Sequence, residues 1–140
     1  MILLDTDHLT VLHSGRGDRF TRLVVRLSEA TESVGTTIVS VEEEMRGWLA
    51  AIAKERRPER QVMAYRELAA LFDRFAGFPI APFDAAAAAR FMELRSGRGR
   101  VGVRDLKIAT ITITQNALLL TANRRDFEQI PGLRFENWMD

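Results

Sequence analysis

The sequence contains no cysteine, which excludes disulfides, thiolate zinc sites, iron–sulfur clusters and cysteine nucleophiles. Histidine is almost absent. His8 and His13 are the only two, and their spacing fits neither an i, i+4 metal pair on a helix nor an HExxH motif. There is no G-x-S-x-G and no G-x-x-x-x-G-K-[ST], so no serine nucleophile elbow and no phosphate-cradling P-loop is expected. No apolar run reaches the ~18 residues of a membrane span. Met1-Ile2-Leu3-Leu4-Asp5-Thr6-Asp7 turns acidic after its apolar start, which argues against a secretory signal and for a cytoplasmic chain. Any hydrolytic chemistry falls to carboxylates and hard metal ions.

What is present suits one compact domain spanning residues 1–140, with 46% hydrophobic and 28% charged residues. The net charge of +1 announces no partner. All but two of the 20 basic residues are arginine, the exceptions being Lys54 and Lys107. Arginine's planar fork suits phosphate and carboxylate, although biased codon usage gives the same excess. From Arg95 to Arg104, the stretch R-S-G-R-G-R-V-G-V-R holds arginines and glycines but no acid. Arg98, Arg100 and Arg104 are therefore candidates for a nucleic-acid backbone contact; a solvated surface loop is the alternative.

Hydrophobic periodicity alternates between strand and helix. Met1–Leu4 reads as a buried strand, Asp18–Ala30 as a helix with a Phe20, Leu23, Val24, Leu27 stripe, and Val34–Val39 as a β-branched strand. Ser40 starts a helix that Arg57-Pro58 interrupts, and a second helix runs from Glu59 to Phe75. Phe78–Ala81 is a short strand, Asp84 caps a helix to Arg95, Arg104–Thr114 is helical, Ala117–Thr121 is a strand, and Phe135 lies in a last one. This alternation predicts an α/β fold with a short central parallel sheet covered by helices. Ligands of such sheets sit beyond the carboxyl ends of the strands. Asp5 and Thr121-Ala122-Asn123 both fall there.

Each acid has a structural reading beside a functional one. Asp5 directly follows a buried strand, where a charge is costly unless compensated. Asp7 fits the N-cap of the next helix better than Asp5 does. Within Glu42-Glu43-Glu44, Glu42 pairs with Arg46 at i+4. Glu43 shares a face with Gly47 and Ala50, yet Ser40-x-x-Glu43 also matches a capping box. Asp105 can simply favour the dipole of the helix it opens. Asn123 can cap a short turn that Asp126 supports.

Taken together and in order, the elements L-D-T-D at 4–7, S-V-E-E-E-M-R-G at 40–47, R-D-L-K-I-A at 104–109, L-T-A-N-R-R-D-F at 120–127 and G-L-R-F-E-N-W at 132–138 resemble the PIN-domain ribonucleases, in particular the toxins of VapBC-type toxin–antitoxin pairs. The resemblance covers essentially the whole chain. It implies a single PIN-like α/β/α domain and a Mg²⁺-dependent endoribonuclease, with Mn²⁺ as an alternative ion. Asp5, Glu43, Asp105 and Asp126 are then the catalytic acids. Asp5 and Asp105 would bind the metal directly, and Glu43 and Asp126 through water or a second ion. Thr6, Asp7, Thr121 and Asn123 would support them. The family often has an acid where this chain has Asn123, and asparagine where it has Asp7, so the number of metals is left open. The resemblance further implies an RNA substrate, a cognate antitoxin, a homodimer and no membrane association.

Two rival readings come from other classes. Leu3-Leu4-Asp5-Thr6-Asp7 has the aspartate-x-aspartate form of haloacid-dehalogenase-like phosphatases, but Leu9 stands where their threonine is expected and no late acidic pair follows. A non-catalytic module that binds RNA or protein is the other.

Overall fold

The computed structural model describes residues 1–140. Strands β1 (Ile2–Leu4), β2 (Val34–Thr37), β3 (Ile80–Ala81), β4 (Leu118–Leu120) and β5 (Phe135–Glu136) alternate with helices α1 (Thr6–Ser14), α2 (Asp18–Glu29), α3 (Ile38–Lys54), α4 (Pro58–Phe75), α5 (Ala85–Leu94), α6 (Val103–Thr114) and α7 (Arg124–Phe127). The strands form one sheet in the order β3-β2-β1-β4-β5, and every pairing is parallel. Leu3 lies opposite both Gly35 and Leu119, which places β1 at the centre.

Successive strand side chains point to opposite faces, and the core divides accordingly. Leu3 and Leu119 pack with Ile108, Ile111 and Phe127 on one side. Ile2, Leu4 and Leu120 pack with Leu9, Leu23 and Leu71 on the other. Ile2, Leu3 and Leu4 are all buried, the unbroken apolar run expected of a parallel strand covered on both faces. Gly35 is required by close approach. A Cβ there would stand 2.3 Å from the Pro79 carbonyl oxygen, which itself accepts the Thr36 N–H at 2.9 Å.

Several boundaries differ from the sequence reading, each for a local reason. The β2 strand stops at Thr37 because the Thr37 hydroxyl accepts the Ser40 N–H at 3.1 Å and starts α3 there. Ile38 and Val39 thus enter the helix despite β-branching, and Val39 joins the core. The Ser40–Glu43 capping box does not form. At α1 the cap is Asp5, whose carboxylate accepts the Thr6 N–H at 2.7 Å, while Asp7 sits in the first turn. Helix α4 begins at Pro58 itself, since proline at the first helical position loses only an N–H that lacks a partner there anyway. The face carrying Gly47 and Ala50 is exposed, and nothing in the chain packs against Gly47. Phe72, on α4, is 67% exposed.

No helix is long and apolar enough to cross a membrane.

Candidate active site

A wholly parallel sheet delivers the residues after β1, β2, β4 and β5 to one edge. Asp5 follows β1 and is 7% exposed. One carboxylate oxygen accepts the Thr6 N–H and the other accepts the Thr121 hydroxyl at 2.8 Å, across from the end of β4. Burial, with the nearby charges of Asp7 and Asp105, pushes the Asp5 carboxyl up to about 6, against the opposing pull of these two hydrogen bonds. The acid serves two purposes at once, capping α1 while presenting a carboxyl group whose charge is disfavoured.

Glu43 lies one turn into α3, and freedom from the capping box lets it turn toward α1. Its Oε2 accepts the Thr6 hydroxyl at 2.7 Å, and its Oε1 lies 3.4 Å from the Arg104 guanidinium. Asp105, in the first turn of α6, is raised above the usual carboxylate range. Burial is the main cause, followed by repulsion from Asp126 and Glu43, with Arg104 opposing. The Asn123 side-chain amide donates to Asp105 at 3.3 Å and to Asp126 at 3.1 Å. Asn123 stands at the N-cap position of α7, but its side chain makes no cap bond. It is a neutral donor set between two acids.

Asp5, Glu43, Asp105 and Asp126 therefore converge, linked through Thr6, Thr121 and Asn123. The basic candidates separate. Arg104 reaches Glu43, whereas Arg98 lines a different cavity of about 180 Å³ with Glu93, Leu106 and Ile130, and Arg100 is exposed.

The sequence reading overlooked His8, which is fully buried. Its Nε2 accepts the Trp138 N–H at 3.2 Å. That leaves the proton on Nδ1, which donates to Asp7 at 2.6 Å. The other Asp7 oxygen accepts the Ala122 N–H at 2.8 Å. Burial works against the Asp7 charge, but the bonds from His8 and Ala122 outweigh it and hold the carboxyl below its ordinary value. Asp7 thus ties the loop bearing Asn123 to α1. No periodicity in the sequence could have joined His8 to Trp138, because the contact is made across the sheet edge.

The donor set can be tested against a hard cation. No three of the Asp, Glu and His side chains stand close enough to form a finished ligand cage. The chemistry nevertheless fits. Oxygen donors dominate, as Mg²⁺ requires, and Mg²⁺ needs only one or two carboxylates because it keeps several of its waters. Burial and then repulsion from neighbouring carboxylates raise both Asp5 and Asp105, a strain that a divalent cation relieves.

A central parallel sheet with carboxylates gathered at its carboxyl edge is the arrangement of the PIN fold, and the family model for the PIN domain matches residues 2–133. The chain belongs to the PIN-domain family. Within it, the resemblances are to VapC proteins. A tRNA(fMet)-specific endonuclease VapC from Shigella flexneri is 32% identical over 84 residues, covering 57% of this chain and 64% of that relative. The match therefore spans less than two thirds of the relative's own length. The solved structure of VapBC-1 from nontypeable Haemophilus influenzae superposes with a TM-score of 0.74 at 19% identity over 100% of both chains. That of VapBC2 from Rickettsia felis, bound to a DNA fragment from their promoter, gives 0.71 at 24% over 99% of both. At these identities the structural likeness establishes the shared fold. Family membership sets aside the phosphatase reading of Leu4-Asp5-Thr6-Asp7.

Proposed function

We propose that this chain is a metal-dependent endoribonuclease, the toxin of a toxin–antitoxin pair. The observation that carries the reading is the convergence of Asp5, Glu43, Asp105 and Asp126 with two of them raised by burial and by neighbouring carboxylates, Asp5 by Asp7 and Asp105, and Asp105 by Asp126 and Glu43. Buried, mutually repelling carboxylates at a strand edge are costly in stability unless function requires them. The VapC name of the relative supports the same activity.

Asp5 and Asp105 would hold Mg²⁺ or Mn²⁺, with Glu43 and Asp126 acting through water. When bound, the ion would supply a more acidic water and neutralise charge building on the phosphate. The protein's own groups do the placing. Thr121 fixes the Asp5 carboxylate, Thr6 orients Glu43, and the Asn123 amide spaces Asp105 from Asp126. Asp7, held by His8, keeps the Thr121–Asn123 loop in register. In-line attack by water on an RNA phosphodiester then leaves a 5′-phosphate and a 3′-hydroxyl.

For the antitoxin we favour an apolar groove of about 240 Å³ between α3 and α4, lined by Val41, Met45, Leu71, Phe72 and Phe75 and closed by Ile80. The exposure of Phe72 supports that placement. A second copy of this chain is the other partner, and light scattering on the purified protein reads the homodimer directly.

The decisive experiment compares RNA cleavage by wild type, Asp5→Asn and Asp105→Asn in Mg²⁺, in Mn²⁺ and in EDTA, with mapped ends. Wild type should cut only with metal and leave 5′-phosphates, and both variants should lose cleavage while keeping their circular dichroism. Full activity in either variant, or cleavage in EDTA, sinks the assignment. Absence of metal binding by calorimetry together with intact RNA binding would favour the non-catalytic module instead.

A further inference from the structure

Beside the acid cleft, between α3 and α6, lies a cavity of about 250 Å³ lined by Val39, Glu42, Arg46, Val103, Arg104 and Lys107. Its charges are unevenly satisfied. Arg46 donates to Glu42 through both Nε and Nη2, at 3.1 and 2.9 Å. Arg104 faces Glu43 at 3.4 Å. Lys107 is half-buried and has no carboxylate within ion-pair distance. Its ammonium lies 5.5 Å from the centroid of the Phe83 ring, which holds the side chain in place without neutralising it. An ammonium held in place without a carboxylate partner is free to take an anion through a charge-assisted hydrogen bond. The Arg46–Glu42 pair is exposed and the Arg104–Glu43 pair half-exposed, and surface ion pairs contribute little. Either guanidinium can therefore exchange its carboxylate for a phosphate at small loss, and arginine grips phosphate bidentately.

The cavity is also small. It falls short of the ~300–1,000 Å³ of sites that enclose whole ligands, so it suits one backbone unit of a longer chain. Arg104 belongs to both places, since it lines the cavity and pairs with Glu43 of the acid cluster. The cavity thus adjoins the carboxylates.

We infer that this cavity is a phosphate subsite for single-stranded RNA flanking the scissile bond, with Lys107 its principal cation, Arg46 and Arg104 its adjustable ones, and Val39 and Val103 an apolar floor beneath the sugar. The inference rests on the nuclease reading for its substrate and adds the position from which the strand is held.

The test uses Lys107→Gln, which keeps the stem and removes the charge, with Lys54→Gln at the far end of α3 as a charge control. Binding of a labelled single-stranded RNA oligomer is followed by anisotropy in EDTA, where the probe is not consumed, across a salt series; cleavage is followed separately in Mg²⁺ and Mn²⁺. Loss of the Lys107 contact should weaken binding about tenfold and reduce the slope of log affinity against log salt by about 0.7, the value for one phosphate of a single strand. In cleavage the loss should fall on KM rather than kcat. Lys107→Arg should restore both, and Lys54→Gln should match wild type.

Unchanged affinity and slope in a folded Lys107→Gln protein would overturn the subsite. So would unchanged RNA binding accompanied by weaker capture of the antitoxin, which would give the cavity to the protein partner. RNA binding that depends on Lys107 in a wild type that cuts nothing would leave the subsite standing and overturn the nuclease reading. A wild type that binds no RNA overturns both.

Discussion

Replacing Asp5 with asparagine should make the metal-free protein more stable, not less. The Asp5 carboxyl is raised from 3.8 to about 6 in the folded state, so the native chain holds that proton more tightly than the unfolded chain does. Its ionisation therefore carries no penalty below the unfolded value. The penalty grows as pH rises from about 4 to about 6 and is constant above that. Two pH units at ~1.4 kcal/mol each give a full penalty of about 3 kcal/mol. Asparagine cannot ionise and escapes it. The amide can still accept the Thr6 N–H, but toward Thr121 it presents NH2, so the hydroxyl must turn its proton to the longer bond with Asp7 Oδ2 at 3.4 Å, at a cost of about 1 kcal/mol. The net gain above pH 6 is then about 2 kcal/mol, or roughly 6 °C in Tm for a chain of this size. Urea unfolding of both proteins in EDTA, at a series of pH values, reads the difference. It should fade as the pH approaches 4. Saturating Mg²⁺ should reverse the order, because binding at a hundred times Kd adds about 2.7 kcal/mol to wild type alone. A wild type that is the more stable protein in EDTA at neutral pH, or a difference that does not change with pH, would refute the reasoning.

Other outcomes follow from the packing and the hydrogen bonds. Leu3→Ala, at the fully buried centre of the sheet, should cost about 2–5 kcal/mol in denaturant unfolding. Thr37→Ala removes the observed cap of α3 and should cost about 1 kcal/mol. Gly35→Ala drives a methyl group into the Pro79 carbonyl and should cost at least ~1–3 kcal/mol, seen as a lower urea midpoint. His8→Phe strands the Trp138 N–H and one Asp7 oxygen. It should lower both stability and the apparent Mg²⁺ affinity measured by calorimetry.

The architecture was legible in the sequence because its central strands β1 and β4 are apolar throughout and its helices carry clear stripes. Ile2–Leu4 and Leu118–Leu120 announce a sheet buried on both faces, and a parallel sheet in turn places Asp5 and Thr121 on one edge. Local chemistry was harder to read. Ser40 and Thr37 both offer a capping hydroxyl three residues before a plausible partner, and the demand of Val39 for the core decides between them. Asp5 and Asp7 compete for one cap in the same way. The bond from Ala122 to Asp7 resolves that contest, and it exists only once β4 has docked. His8 was invisible because the Trp138 N–H that fixes its tautomer comes from far along the sequence. Arg98 and Arg104 share a basic loop in sequence, yet the start of α6 at Val103 turns only Arg104 toward Glu43.

The central position of β1 has a consequence for when this protein can act. Its two neighbours in the sheet are made far apart in time: β2 emerges soon after it, but β4 and the segment around Trp138 only after α3 to α6 have been made. Until Thr121 arrives, Asp5 lacks one of its two hydrogen-bond donors; until Trp138 arrives, His8 cannot fix the proton that orients Asp7. Long-range parallel pairing of this kind also closes slowly. A half-made chain on the ribosome therefore carries Asp5 and Glu43 without Asp105, Asp126 or the groups that orient them, and the acidic edge is assembled last.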